Sequence, residues 1–374
     1  LLCSMTAHGI NPNSHTIARI CNPDYTDQVY KMQKTFALSL TVNPEKQAAI
    51  EIERLLKFPG FLKRDSFAKG RVEIVELRVD ERSRLCNVAL SELNRVIKCR
   101  VLVCAVLRRG DVVAPDGSFV LREGDRIFVT ASTEILATLL DNLGIITKKV
   151  NHVMICGGGR VSYYLAQQLE KDGMTVRLIE KDPKHCEELA ALLPKTEIIN
   201  DDASNTFVLK RENLESCDAL VTATGMDELN MIISLYGTKH GVSQVITKLG
   251  HMENGSMIDQ LPIGSTIWPK DLCCNGIVRY IRAMHNQTGA AVSVHSIADG
   301  KAEAIEFHVE EKKPYCDKPL KNMKVKQNIL VACITHGGVT ELPGGDSVIR
   351  EGDTVVVVTT RNDIIYKLDD IFEA

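Results

Sequence analysis

The sequence predicts an α/β protein: a doubly wound parallel sheet with a small α+β domain behind it, and that pair tandemly repeated. Three observations predict it. Residues 151–182, NHVMICGGGRVSYYLAQQLEKDGMTVRLIEKD, pass from an apolar run through three glycines to a helical pattern and a second apolar run. Beyond them, short apolar runs alternate with helix-length segments as far as residue 285. Finally, Val120-Leu121-Arg122-Glu123-Gly124-Asp125 returns as Val348-Ile349-Arg350-Glu351-Gly352-Asp353, an offset of 228 residues.

The glycine segment carries the chemistry. Val153 to Cys156 reads as a buried strand ending on Gly157, Gly158 and Gly159, and the following helix places Leu165, Ala166 and Leu169 on one face. Asp172 and Gly173 close that helix, and Val176, Leu178 and Ile179 make a strand whose last residue is Glu180. Gly157 permits a tight turn, and Gly159 lets the backbone approach a pyrophosphate. The helix start offers N–H groups at the positive end of a dipole worth roughly half an elementary charge. A carboxylate at the end of the second strand accepts hydrogen bonds from both ribose hydroxyls of an adenosine, which disfavours a 2′-phosphate and so NADP. Ser162 replaces the usual third glycine and is small enough for helix and strand to pack closely. Strand, helix and acid together supply the context that a glycine pattern needs.

The remaining elements follow in order. Leu1 to His8 is helical and ends at Gly9; Ile17–Ile20 is a strand, Asp24–Lys34 a helix and Phe36–Val42 a strand. Pro44–Leu56 is a helix with Ile50, Ile52 and Leu55 inward, and Pro44 suits its first position because a missing N–H costs nothing there. Residues 58–69, with Pro59, Gly60 and mixed charge, read as a linker. Val72–Val79 alternates apolar and charged residues, the pattern of a half-buried strand. Strands at Val101–Leu107 and Arg126–Thr130 and a helix at Thr133–Leu143 complete the first small domain. After the glycine segment come helix Pro183–Leu193, strand Glu197–Asn200, helix Asn205–Glu212, strand Ala219–Thr224 and helix Asp227–His240. Strands Gln244–Lys248 and Ser265–Ile267 and helix Pro269–His285 complete the sheet domain, whose ligand belongs at the carboxyl ends of the strands. Strands Ser293–Ile297, Ala302–Val309, Ile329–Ile334 and Thr354–Thr359 and a helix at Asn362–Phe372 repeat the small domain.

The repeat divides the chain into residues 1–60, the C-terminal part of a first sheet domain; 68–147, the first small domain; 150–285, the second sheet domain; and 290–374, the second small domain. The front of the first copy, with its own glycine loop and acid, is expected to lie before Leu1. The repeated Arg-Glu-Gly-Asp reads as a hairpin turn with glycine at positive φ.

Composition excludes several classes. With 44% hydrophobic and 25% charged residues the chain is an ordinary globular protein, and a net charge of −3 lacks the basic excess of a nucleic-acid binder. No run approaches 18 apolar residues, so no transmembrane helix is expected. The twelve cysteines are scattered singly, with Cys104, Cys156 and Cys333 inside apolar runs, and read as buried free thiols of a cytosolic protein. There is no C-x-x-C and no histidine pair at metal spacing, so no metal site is expected.

With the repeat, the Gly-Gly-Gly-Arg-Val loop, Asp202-Ala203 after the third strand and Thr224-Gly225-Met226-Asp227-Glu228 after the fourth, the sequence resembles the TrkA family of regulatory subunits of Trk potassium-uptake systems. That family is built from tandem RCK units, each a Rossmann-like N-domain (KTN) and a C-domain. The resemblance implies NAD (NAD+/NADH) or ATP/ADP on Gly157, Gly158, Gly159, Arg160 and Val161, with Glu180 on the ribose. It also puts Asp202 beside the adenosine, Thr224 and Gly225 in the cleft and Lys248 facing phosphate, Arg19 being the equivalent of Lys248 in the first copy. Ser162, and Asp201 in place of a common glycine, depart from the pattern. Bland readings stand beside these: Asp202 as a helix cap, Thr224 as a strand end, Asp227 as a first-turn acid and Lys248 as a solvated charge. The implied function is regulatory and not enzymatic: a homo-oligomer on the inner face of the cell membrane, gating a TrkH/TrkG-type potassium transporter subunit. The alternative is an NAD-dependent oxidoreductase, which needs an acid/base beside the nicotinamide; His295, His308 and His336 are isolated in sequence.

Overall fold

Alternation of short apolar runs with helical stretches produces the following order of elements. Residues 1–57 form α1 (Leu2–Ile10), β1 (Ile17–Arg19), α2 (Pro23–Lys31), β2 (Leu40–Val42) and α3 (Pro44–Lys57). Next come β3 (Lys63–Phe67), β4 (Val72–Arg78), α4 (Leu93–Ile97), β5 (Leu102–Arg108), β6 (Asp111–Val113), β7 (Arg126–Ser132) and α5 (Thr133–Leu143). The central stretch is β8 (His152–Cys156), α6 (Arg160–Lys171), β9 (Thr175–Glu180), α7 (Pro183–Leu192), β10 (Glu197–Asn200) and α8 (Thr206–Arg211). It continues as β11 (Ala219–Thr222), α9 (Asp227–Lys239), β12 (Gln244–Lys248), β13 (Ser265–Ile267) and α10 (Pro269–Met284). The chain then forms β14 (Ala291–Ile297), β15 (Ala302–His308), β16 (Ile329–His336), β17 (Val339–Glu341) and β18 (Thr354–Thr359). The computed structural model describes residues 1–57, 61–80, 83–143, 149–250, 258, 261–284, 291–360 and 364–373. No helix among the described residues is long and apolar enough to cross a membrane.

The chain divides into two units, Leu1–Pro59 with Lys148–Ile277, and Gly60–Thr147 with Val278–Ala374. In the first unit six strands pair in parallel in the order β10-β9-β8-β11-β12-β13, a Rossmann-like doubly wound sheet. Alternate residues of β8 feed opposite faces. Val153 and Ile155 pack with Leu165, Ala166 and Leu169 of α6, while Met154 and Cys156 pack with Val208, Leu209 and Ile233 from α8 and α9. Helix α3 closes the α6 face through Ala48, Ala49, Ile52, Leu55 and Leu56, all 1% exposed or less. Ile50, expected inward, is only half-buried; two alanines instead let α3 approach α6 closely. Strands β1 and β2 pair in parallel, and the strand expected over 36–42 forms only at its end.

The second unit holds two five-stranded antiparallel sheets of one topology, β3-β4-β7-β5-β6 and β14-β15-β18-β16-β17. The repeat extends to backbone detail. Ala68 and Ala298 have φ of 49° and 51°, and both sheets shift register after Val103 and Val331. Gly124 and Gly352 have φ of 82° and 86°, as a turn at Arg-Glu-Gly-Asp requires. Asp125 and Asp353 brace these turns by accepting the N–H of Arg122 and Arg350.

Three further expectations change. The linker over 58–69 is partly strand: β3 pairs antiparallel with β4, held by the Arg64–Glu73 ion pair and by buried Phe67. Residues 58–60 lie outside the described residues. Strand β4 is buried over Val72–Leu77, not half-buried, because its Val75 and Leu77 face one core and its Val72 and Ile74 another. Its glutamates are buried in ion pairs with Arg64 and Arg126. The last helix is a single 3-10 turn at Leu368–Ile371, with 362–363 outside the described residues. Asp370 accepts the N–H groups of Tyr366 and Lys367, and Phe372 bridges to Val325, which draws the chain out of a helical path.

The two small sheets share one core, in which Phe128 is 1% exposed among Phe67, Ile74, Ala304 and Val356. Phe128→Ala is expected to cost about 3–5 kcal/mol in urea denaturation, whereas Val339→Ala, at a side chain left exposed by the fold, stays within about 0.5 kcal/mol.

Candidate functional site

The sheet order reverses between β8 and β11, the place where doubly wound sheets offer a crevice outside the carboxyl ends of their strands. Gly157 leaves β8 at φ 99°, its N–H bonded to Ile179 O at 2.8 Å. A Cβ there would lie 2.8 Å from Thr224 Cα and 2.9 Å from Ala223 O, so the backbone crossing itself demands glycine. At Gly158 a Cβ would lie 2.7 Å from Leu189 Cδ1 and 3.0 Å from Glu180 Cγ.

Gly159 is different. It is the N-cap of α6 at an ordinary φ of −64°, and a Cβ there would meet only Ala223 O, 4.0 Å away. The fold tolerates a side chain at this position, yet none is present over the uncapped helix start. Among the described residues no side chain caps the N–H groups there, and such a helix start fits an anionic group such as a pyrophosphate. Arg160 is exposed beside it, whereas the Val161 side chain, 6% exposed, belongs to the core and offers only backbone. Ser162 is fully buried, and its Oγ has no hydrogen-bond partner among the described residues.

Glu180, at the end of β9, is tied to the loop: Oε2 accepts the Gly158 N–H at 2.7 Å and Oε1 the Asp182 N–H at 2.9 Å. Further lone pairs on both oxygens remain available to ribose hydroxyls. At the ends of β11 and β12, Lys248 Nζ donates to Thr224 O at 2.7 Å. Burial lowers the pKa of Lys248, opposed by the charges of Asp227 and Glu45, so this cation is only half solvated. Gly225 is exposed at the rim, and Asp227 Oδ2 accepts the Gly250 N–H at 2.8 Å.

Asp202 follows β10 and is exposed. It accepts the N–H of Ser204 at 2.8 Å, and the hydrogen bonds from Ser204 lower its pKa. Asn205 caps α8 in its place, so Asp202 is not the helix cap. The structure thus joins Gly158 to Glu180, Gly157 to Thr224 and Thr224 to Lys248, while Asp202 is engaged with Ser204 on the same edge. Arg19 ends β1 and donates to Glu45 Oε1 and Cys21 Sγ, each at 2.8 Å.

Two residues escaped sequence reading. Asn230 is fully buried in α9; its Oδ1 accepts both the N–H and O–H of Thr224, while Nδ2 donates to Lys248 O at 2.9 Å. It locks the ends of β11 and β12 together. Its one signal is a polar residue at helical spacing from the buried Ile233, Ser234 and Gly237. His185 lies 2.9 Å from Gly158 O. Among the described residues no cluster of three or more His, Cys, Asp or Glu side chains could hold a metal ion.

The TrkA-N domain family matches residues 153–269, and the TrkA-C domain family matches 74–144 and again 304–372. The Trk system potassium uptake protein TrkA homolog 1 of Methanosarcina mazei is 28% identical over 367 residues, covering 96% of this chain and 80% of that protein. The Trk system potassium uptake protein TrkA of Haemophilus influenzae is 27% identical, covering 96% of this chain and 78% of its own length. Among solved structures, the GsuK RCK domain aligns at TM-score 0.56 and 14% identity over 95% of this chain and 74% of its own. The GsuK channel bound to NAD aligns at 0.54 and 14% over 95% of this chain and 62% of its own.

Asn230→Ala strands the Thr224 N–H and the Lys248 carbonyl in the interior. A loss of about 2–4 kcal/mol is expected in denaturation, and a change below about 0.5 kcal/mol would show that water substitutes for the amide.

Proposed function

The chain belongs to the family of proteins built from TrkA-N and TrkA-C domains, and on that premise we propose that it is the nucleotide-sensing regulatory subunit of a potassium-uptake system. In this reading NAD(H) or ATP/ADP lies across the carboxyl edge of the six-stranded sheet. Its pyrophosphate rests on Gly157–Val161, its ribose on Glu180 and its adenine side near Asp202, while Thr224, Gly225 and Lys248 line the opposite wall. The observation that carries the reading is Gly159, where among the described residues no side chain caps the start of α6 and the surroundings of the residue set no need for glycine. The half-solvated Lys248 adds a cation whose cost of burial an incoming phosphate would offset.

Regulation requires that the ligand bind two arrangements of the protein unequally, since equal affinity shifts no population. The client in this proposal is an integral-membrane potassium transporter subunit of the TrkH/TrkG type, met at the inner face of the membrane by a homo-oligomer of this chain. Similarity to Trk potassium uptake proteins supports the client's class, and the NAD bound to the GsuK channel supports NAD as the first ligand to try. Residues 1–60 act as the distal part of a first Rossmann-like domain, with 68–147, 150–285 and 290–374 as the first C-domain, second N-domain and second C-domain. The proposal contains no chemical step.

Thermal-shift titration with NAD, NADH, ADP, ATP and NADP tests it. A ligand at 100 times its dissociation constant is expected to add about 2.7 kcal/mol, with NADP weakest because its 2′-phosphate meets Glu180. Gly159→Val is expected to abolish the shift while leaving the unliganded melting temperature within a few degrees; undiminished stabilisation in that variant would place the ligand elsewhere.

A further inference from the structure

We propose that His185 is a positioning residue for the pyrophosphate, holding the Gly158–Gly159 peptide in the orientation that turns the Gly159 N–H toward the ligand. The inference rests on the nucleotide reading of the loop and adds to it the group that sets the loop's central peptide plane.

His185 stands in the first turn of α7, whose N-cap Asp182 accepts the N–H groups of Lys184 and His185. Its Nε2 lies 2.9 Å from Gly158 O, and its Nδ1 lies 3.1 Å from Glu188 Oε2. Gly158 is therefore held at both of its polar groups. Glu180, from β9, takes its N–H at 2.7 Å, and His185, from α7, donates to its carbonyl. In a planar trans peptide the C=O and the next N–H point to opposite sides. A Gly158 carbonyl directed at α7 therefore directs the Gly159 N–H away from α7. Glycines have the widest choice of backbone conformations, so three in a row need such an external restraint. Neither neighbour of Gly158 supplies it, because Gly157 is engaged with Ile179 and Gly159 has no capping side chain.

The restraint depends on protonation. A neutral imidazole carries one N–H and can serve Gly158 O or Glu188, while the imidazolium serves both. Burial pulls the pKa of His185 down; the hydrogen bonds to Glu188 and Gly158 O and the charges of Glu180 and Glu188 outweigh it, and the pKa is raised. The charged groups acting on the ring are Glu180 from β9 and Glu188 from its own helix, while the Asp182 carboxylate at the cap is taken up by backbone N–H groups. Because the folded-state value is raised, the two-sided clamp is complete at low pH and loosens as pH rises through that value.

The test is calorimetric titration of the full chain with NAD, whose pyrophosphate does not change charge near neutrality, and with adenosine, which has no phosphate. NAD affinity of the wild-type chain is expected to fall about threefold to tenfold between about pH 6 and about pH 8.5, with adenosine unaffected. His185→Phe is expected to weaken NAD about tenfold at the lower pH and to spare adenosine. His185→Gln keeps a donor at the position of Nε2, and is expected to bind NAD nearly as the wild type does with no dependence on pH. Equal NAD affinity in His185→Phe and the wild type, or an equal loss for NAD and adenosine, overturns the role of His185 while the nucleotide reading stands. Failure of the wild-type chain to bind NAD, and likewise ADP and ATP titrated in its place, overturns both.

Discussion

The crevice depends on one close backbone crossing, that of Gly157 against Ala223 and Thr224. Cys156 O accepts the Ala223 N–H at 2.9 Å, and one residue later Gly157 donates to Ile179 on the other neighbour. The chain leaving β8 is thus bonded to β11 on one side and β9 on the other before it turns into α6. No side chain fits between Gly157 and Thr224, and a methyl group there would have to push β8 and β11 apart at the point where the sheet reverses. Everything attributed to the loop, from the N–H array to the reach of Glu180, presupposes that spacing.

The opposite wall is held by polar groups in the interior. Asn230 satisfies Thr224 and the carbonyl of Lys248, and a chain of hydroxyls runs from Thr222 through Ser234 to Thr247, which donates to Ile263 O. Buried polar groups stabilise only when all are satisfied, and then they select one arrangement. The consequence is that the ends of β11 and β12 are tied to each other and to α9 by groups of the chain itself. Lys248 is the half-buried cation of the set, its pKa lowered by burial against the opposing charges of Asp227 and of Glu45 from α3.

How far the sequence could be read follows from where the information lies. Thr133–Leu143, Glu197–Asn200 and Gln244–Lys248 were legible to the residue, because local periodicity and turn residues bound them. The glycine loop and Glu180 were legible because their spacing reflects a chain path. Strand β3 was not: Lys63, Arg64 and Asp65 look like a solvated linker until Glu73 and His295 are placed opposite them. His185 gives no signal, because its partner is a carbonyl 27 residues away in sequence. The final segment has helical spacing at Ile364, Ile365, Leu368 and Ile371, and tertiary pairing of Phe372 with Val325 overrides it. Local pattern fails where a partner distant in sequence decides.

The internal repeat is itself a physical argument about how the small domains pair. Lys301 Nζ donates to Gly110 O, and at the equivalent place Arg71 lies against Gly338, where a Cβ would be 3.3 Å from its Nη1. Residues 71 and 301 correspond, as do 110 and 338, so the contact is reciprocal in the manner of a two-fold interface. Near the centre of that arrangement equivalent positions meet each other, and there the copies differ: Asp65 Oδ1 lies 3.0 Å from His295 Nδ1. A pair of identical chains could place there only two aspartates or two histidines, which repel when charged. Joining the copies in one chain frees the two positions to diverge into a complementary pair. The same divergence separates Arg108–Asp125 from His336–Asp353, where one copy holds its buried aspartate with a guanidinium and the other with an imidazole. The backbone is repeated while its charges are not, and the difference in charge marks this pairing as one between unlike domains.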